Sequence, residues 1–124
     1  MMTRQIPNPG RLNRYLGTLA AGLLLLAPPA QANTDQLQKA LIQTEASLKS
    51  LDQGDSQGAA AHAEAARTHV EIASRGARGS LKNDLNTCRS RLKDVERQSR
   101  VGHPQRARAA AQQANGKLKK LQQP

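Results

Sequence analysis

Apolar residues recur along this chain at alternating spacings of four and three in four separate segments after Ala32. That spacing places them on one face of a helix, along the seam where it packs on another helix. No segment shows the apolar–polar alternation that is typical of a half-buried strand. The four seams are Leu37, Leu41, Thr44, Leu48 and Leu51; Ala59, Ala63, Ala66, Val70 and Ala73; Leu81, Leu85, Cys88, Leu92 and Val95; and Ala107, Ala111, Ala114, Leu118 and Leu121.

Turn-forming residues separate the four segments. Gly, Asp and Ser are concentrated in residues 52–58 and 74–80, and the third break is Val101-Gly102-His103. We therefore expect helices over about 34–52, 59–74, 81–100 and 104–122. Short connections favour antiparallel neighbours, so the sequence predicts an all-α protein, an up-down antiparallel four-helix bundle.

Residues suited to helix termini stand at the predicted starts. Ser, Thr and Asp side chains accept hydrogen bonds from the free N–H groups of a first turn, and proline at the first helical position loses nothing. The candidates are, in chain order, Thr34 or Asp35, Asp55 or Ser56, Ser80, and Pro104. Within the fourth segment, Asn115-Gly116 is expected to interrupt and weaken the helix.

A weak internal repeat relates the two halves of this pattern. The alignment that places Leu37 on Leu85 also places Gly54 on Gly102. It further aligns Ala59, Ala61, Ala63 and Ala66 with Ala107, Ala109, Ala111 and Ala114. Alanine matches are common by composition, so the glycine in the same turn is the stronger sign. The pattern predicts a duplicated helical hairpin.

Residues 1–32 have the features of a secretory signal peptide. Arg4, Arg11 and Arg14 precede an apolar run over residues 16–27, and Ala30-Gln31-Ala32 forms a small-residue cleavage site. The run is shorter than the roughly 20 residues that a membrane-spanning helix needs. We expect a mature protein over 33–124, periplasmic or secreted, without a transmembrane segment.

The composition of residues 33–124 predicts one small domain with a thin core. This stretch has no aromatic residue and contains nine Leu but fifteen Ala. A core of this size rarely supplies more than about 3–5 kcal/mol without a metal, a disulfide or a partner.

Charge divides the predicted mature chain into two unequal halves. Residues 33–72 have a net charge of −3, whereas residues 73–124 have a net charge of +10. A basic half can bind an anionic envelope surface or an acidic protein, or it can simply be a solvated surface. The lack of aromatic residues removes the base stacking used by single-stranded nucleic-acid binders, so no specific nucleic-acid partner is expected.

Two histidines in the second segment are the main candidates for chemistry. His62 and His69 are seven residues apart, so their rings leave the same helical face with backbones about 10.5 Å apart. One metal bridged by both rings would be strained, and each ring more plausibly binds with a ligand from a neighbouring helix or weakly alone. Glu64 and Glu71 follow the histidines by two residues, and Asp55 lies in the preceding turn. Imidazole with carboxylate suits copper, nickel or zinc. The alternative is two partly exposed histidines without a ligand.

The other chemically distinctive residues allow several interpretations. His103 lies in a turn before a helix and can be a capping or solvent-facing residue. Cys88 can bridge two chains, bind a soft metal, or serve as a small buried hydrophobe, which its seam position favours. No Ser-His-Asp set, phosphate-binding loop or haem attachment motif is present, so the sequence does not predict an enzyme.

The layout resembles the small metal-binding proteins of bacterial periplasms. The similarity lies in the pair His62 and His69, the Gly102-His103 turn, its Gly54-Asp55 counterpart, and the repeat. It implies a signal-bearing four-helix bundle that binds several transition metals, copper prominently. At the histidine positions of the other helices, this chain has Gln43 and Ser50, Arg91 and Gln98, and Ala110 and Lys117.

The resemblance implies a residual metal site near the second helix. Its ligands would be His62 and His69, assisted by Asp55 or His103. Coordination requires neutral imidazole, so binding is expected to weaken below about pH 6.

Overall fold

The computed structural model describes residues 29–123, with side chains from residue 34. Four α-helices span this part: α1 (Pro29–Asp52), α2 (Ser56–Ser74), α3 (Gly79–Arg100) and α4 (Pro104–Leu121). Each helix packs on the next one in the chain, and α4 packs back on α1. No strand occurs within these residues. The predicted all-α, up-down antiparallel four-helix bundle is confirmed.

The start of α1 differs from the prediction. Residues 1–28 of the predicted signal peptide lie outside the described residues, and its last four residues belong to α1. Thr34 and Asp35 therefore lie inside α1, and the prediction that one of them caps it is wrong. Alanine favours helix and proline is well tolerated in a first turn, so residues 29–32 continue the helical pattern. None of the described helices combines the length and the apolar character that a membrane crossing requires.

The predicted seams of α2, α3 and α4 form the core. All five seam residues of α2 are fully buried, as are the last four seam residues of α3 and the first four of α4. Leu81 and Leu121, at the ends of their seams, are partly buried against this core. Three residues of the predicted α1 seam are also buried: Leu37, Thr44 and Leu51.

Helix α1 is rotated relative to the predicted seam. Ala40 and Ser47 are fully buried, whereas Leu41 and Leu48 are only partly buried at the edge of the core. The Ser47 hydroxyl donates a 2.8 Å hydrogen bond to the carbonyl oxygen of Ala59 on α2. Because α2 presents alanines, its backbone lies close to α1. Small residues therefore lie where α1 contacts α2, and the leucines pack at the edge of this contact.

Of the other three predicted helix starts, two are confirmed and one is wrong. The Asp55 carboxylate caps α2 by accepting a 2.9 Å hydrogen bond from the Gly58 N–H. Pro104 occupies the first turn of α4. Helix α3 begins at Gly79, whose φ of +64° lies in the left-handed region that glycine tolerates, so Ser80 lies inside the helix and does not cap it.

Helix α4 continues through Asn115 and Gly116 to Leu121, so the predicted interruption is wrong. A Cβ atom added at Gly116 would meet no heavy atom within 4 Å. We expect Gly116→Ala to raise the free energy of unfolding by about 0.5–1 kcal/mol, because alanine loses less backbone entropy on folding. The midpoint of urea denaturation measures this gain. Gly54→Ala is the matched control. Gly54 has a φ of +75°, so alanine should lower the midpoint there. A lower midpoint for Gly116→Ala would contradict the prediction.

The turns that end α1 and α3 have the same geometry. Gly54 and Gly102 stand at equivalent positions, with φ values of 75° and 86°. In each turn, the residue after the glycine donates its N–H to the carbonyl five residues earlier, at 2.8 Å. The internal repeat is therefore present in the backbone hydrogen bonds, which supports the predicted duplication of a helical hairpin.

Candidate metal centre

Both α2 histidines lie half-buried on the flank of the helix that faces α1. Nδ1 of His62 is 2.9 Å from Oε1 of Gln43, and Nδ1 of His69 is 2.8 Å from Oε1 of Gln36. The glutamines are seven residues apart, like the histidines, and α1 runs antiparallel to α2. The same histidine–glutamine pair therefore forms twice along the α1–α2 interface.

These hydrogen bonds determine which ring nitrogen is available. An amide oxygen can only accept, so Nδ1 carries the proton in each pair and Nε2 carries the lone pair. Histidines that bind metals commonly donate their other ring N–H to a carbonyl or carboxylate in this way, which orients the ring. Each histidine is therefore oriented to offer Nε2. The two rings leave the helix two turns apart, at about 10.5 Å along the axis, so they form two positions rather than one.

The carboxylates that follow the histidines in sequence lie on the other flank of α2. Glu64 is 3.7 Å from the guanidinium of Arg100 on α3. Glu71 is 3.8 Å from that of Arg89, also on α3, and 3.2 Å from that of Arg67 on its own helix. Both therefore face α3 and are paired with arginine. On α2, the imidazoles therefore face α1 and the ion pairs face α3.

One ion pair on this second flank is nearly enclosed. Arg67 Nε is 2.6 Å from Glu96 Oε2, and Arg67 Nη2 is 3.4 Å from Glu96 Oε1. The hydrogen bond to Glu96 raises the pKa of Arg67, although burial of the guanidinium acts in the opposite direction. This pair joins α2 to α3 on the side of α2 away from the histidines.

The other two predicted ligands lie in the turns. Asp55 is exposed, and its Oδ1 atom is the cap of α2. His103 occupies the N-cap position of α4, but its exposed side chain makes no capping hydrogen bond. Among residues 29–123, no three His, Cys, Asp or Glu side chains form a cluster that could hold a metal ion. The structure therefore does not join His62, His69, His103 and Asp55 into one closed ligand set.

Cys88 is buried in the bundle core, in agreement with its interpretation as a small hydrophobe. Burial raises the pKa of its thiol to about 11. Metal binding and disulfide exchange both require a thiolate, so the buried neutral thiol is suited to neither role.

Comparison with known proteins matches this architecture to a family. The sequence profile of the small metal-binding protein family matches residues 13–121. The chain belongs to this family. The resemblance inferred from the histidine pair, the turns and the repeat is confirmed. A search of curated protein sequences found no match.

The sequence did not reveal the partners of the histidines in this small metal-binding protein. By sequence alone, Gln43 stands out only as a position without a histidine, and Gln36 does not stand out at all. The two glutamines are seven residues apart, like the two histidines. This matching spacing predicts the pairing only once the antiparallel register of α1 and α2 is known.

The second hairpin of this family member, formed by α3 and α4, has different side chains at the positions equivalent to these histidines and glutamines. The internal repeat aligns Gln36 and His69 with Asp84 and Lys117, whose side chains form a 3.4 Å ion pair. The same contact between neighbouring helices is thus made by a salt bridge instead of an imidazole–amide hydrogen bond. A lysine here would repel a metal cation, so this level of the second hairpin is not a metal position.

The other level of the second hairpin has also lost its imidazole. The repeat aligns Gln43 and His62 with Arg91 and Ala110, and both of these residues line a groove between α3 and α4. Histidines that could bind metal are therefore confined, along the described helices, to the α1–α2 hairpin.

Proposed function

We propose that this protein binds copper, nickel or zinc ions weakly and reversibly through Nε2 of His62 and His69. The observation that supports this most strongly is the repeated hydrogen bond from Nδ1 to a glutamine oxygen, which leaves Nε2 as the free donor atom. Membership of a metal-binding family supports the same function. Neutral imidazole is a good ligand for each of these three metals.

The donor set accounts for weak rather than tight binding. Structural zinc sites enclose the ion with four protein ligands, whereas each position here offers one oriented imidazole. The half-buried rings leave the remaining coordination positions to water or to small ligands. A metal ion in such a site can exchange readily, so the protein suits reversible binding of cargo and not catalysis.

We further propose that the protein acts in the periplasm or after secretion. This rests on the arginine-bearing start, the apolar run and the Ala30-Gln31-Ala32 site near the beginning of the chain. Binding should weaken as the pH falls, since protons and metal ions compete for the same Nε2 lone pair.

The test is calorimetric titration of the protein with Cu²⁺, Ni²⁺ and Zn²⁺. We expect saturable binding in the wild type and its loss in His62→Ala/His69→Ala, because no other described histidine has an oriented ring. His103→Ala is the matched control and should bind like the wild type. Equal binding by the double variant, or none by the wild type, would refute the proposal.

The glutamines provide a second arm of this experiment. Removal of a residue that orients a metal ligand typically weakens binding by about 10–100-fold. We expect Gln36→Ala/Gln43→Ala to weaken metal binding by about tenfold, although both histidines remain. Unchanged affinity would show that the glutamines pack beside the rings without positioning them.

A further inference from the structure

The second hairpin leaves much positive charge without a neutralising partner. Each acid in residues 73–123 is already used in an ion pair: Asp84 with Lys117, Asp94 with Arg97, and Glu96 with Arg67. Six bases of this stretch make no ion pair within the described part of the chain. They are Arg75, Arg78, Lys82, Lys93, Arg106 and Lys120.

Two arginines of this hairpin meet at one groove between α3 and α4. The groove has a volume of about 290 Å³ and is lined by Arg91 and Arg106, together with Asp94, Gln98 and Ala110. Ligand pockets in proteins are typically about 300–1,000 Å³, and this groove lies just below that range, so it has room for only a small ion or a single headgroup.

The internal repeat explains why the groove is open. Ala110 stands at the position equivalent to His62, and Arg91 at the position equivalent to Gln43. In the first hairpin, the imidazole and the amide bond to each other across the helix interface. In the second hairpin, a methyl group replaces the ring and leaves space beside a guanidinium. The same position along the helix interface therefore has an imidazole in the first hairpin and a positive charge in the second.

The hydrogen-bonding groups of the groove favour a phosphoryl oxyanion with an O–H group on it or beside it. Arg106 makes no ion pair within the described part of the chain, and Arg91 only approaches Asp94, at 4.0 Å. Guanidinium groups can donate two parallel hydrogen bonds to phosphoryl oxygens. Oε1 of Gln98 is buried without a hydrogen-bond partner. It can accept from the O–H of a hydrogenphosphate or from a glycerol hydroxyl beside a lipid phosphate, as can the Asp94 carboxylate.

We propose that the α3–α4 groove binds a phosphoryl oxyanion between Arg91 and Arg106. The ligand is a free phosphate or the phosphate headgroup of an anionic lipid. The site shares no residue with the α1–α2 histidine positions, so phosphate binding and metal binding can succeed or fail separately.

The test is titration with inorganic phosphate at constant ionic strength, followed by amide chemical shifts. We expect saturable shifts centred on the facing segments of α3 and α4. Arg91→Gln/Arg106→Gln should weaken binding by about tenfold or more, because it removes the charged donors. Arg75→Gln/Lys93→Gln is the control. It removes the same net charge at bases outside the groove and should leave the affinity within about twofold of wild type, because screening weakens distant charges.

A second arm distinguishes the two sources of phosphate. Sedimentation with vesicles containing phosphatidylglycerol is compared with sedimentation with phosphatidylcholine vesicles. Binding to the anionic vesicles that only the groove variant loses would assign the site to a lipid headgroup. Saturable binding of inorganic phosphate with the same dependence would assign it to free phosphate. The proposal is overturned if neither probe binds, or if the groove and control variants weaken binding equally.

Discussion

Leu92→Ala is expected to lower the free energy of unfolding by about 2–5 kcal/mol, the usual cost of deleting a buried leucine side chain. Leu92 is 0% exposed and lies in the central part of the α3 seam. The surrounding core consists largely of alanine, whose short side chains cannot move into the vacated space. Folded domains are typically stable by only about 5–15 kcal/mol, and a thin core places this bundle at the low end. The variant should therefore lose a large share of its stability.

Thermal and urea denaturation followed by circular dichroism measure this loss. For a domain of this size, about 3 kcal/mol corresponds to a fall of about 12–24 °C in the melting temperature. Ile42→Ala is the control: it removes an aliphatic side chain that is 53% exposed, so its effect should stay within about 0.5 kcal/mol. Similar losses for the two variants would show that Leu92 does not occupy a closely packed core.

Glu96→Ala is expected to cost about 2–3 kcal/mol of unfolding free energy, although Glu96 contributes little apolar surface. The residue is 7% exposed, and its carboxylate bonds to Arg67 through both oxygens. Hydrogen bonds to charged groups contribute about 1.5–3 kcal/mol, and an enclosed charge that loses its partner keeps its desolvation cost. Arg67 retains Glu71 and some contact with solvent, which keeps the cost below that of a fully buried pair.

A double-mutant cycle isolates this interaction from the packing of the same side chains. Arg67→Met/Glu96→Leu should be more stable than the sum of the two single changes predicts, because no unpaired charge remains. Asp94→Ala is the comparison at the surface. Its ion pair with Arg97 is largely exposed, so its loss should cost less than about 1 kcal/mol. A Glu96→Ala variant as stable as Asp94→Ala would contradict this account.

The two hairpins show how one backbone arrangement can carry opposite chemistry. Their turns share the same glycine geometry and hydrogen bonds. At the equivalent helix-interface level, His69 bonds to Gln36 in one hairpin, and Lys117 pairs with Asp84 in the other. The seam residues therefore build a similar core in both hairpins, while these positions beside the seam differ in charge.

The structure departs from the predictions at α1, at the helix starts and in the continuity of α4. Leucine dominates the apolar periodicity of α1, which therefore predicts Leu41 and Leu48 at its interface. The structure places Ala40 and Ser47 there, because the alanine-rich α2 backbone lies close enough to accept a hydrogen bond from Ser47. At α3, the left-handed backbone of Gly79 begins the helix before Ser80, which local composition did not indicate.

Several features can be read from the amino-acid sequence: the number of helices, their antiparallel order, the seams of α2, α3 and α4, the duplicated hairpin and the positions of the candidate histidines. These features depend on the periodicity of side chains along a helix and on residues local to each turn, both of which can be read from the chain. The side chains that meet across the helix interfaces become known from the packed bundle. It paired His62 with Gln43 and His69 with Gln36, and it brought Arg91 and Arg106 to one groove. Those contacts depend on the rotation of each helix about its axis, which the close packing of all four helices sets together.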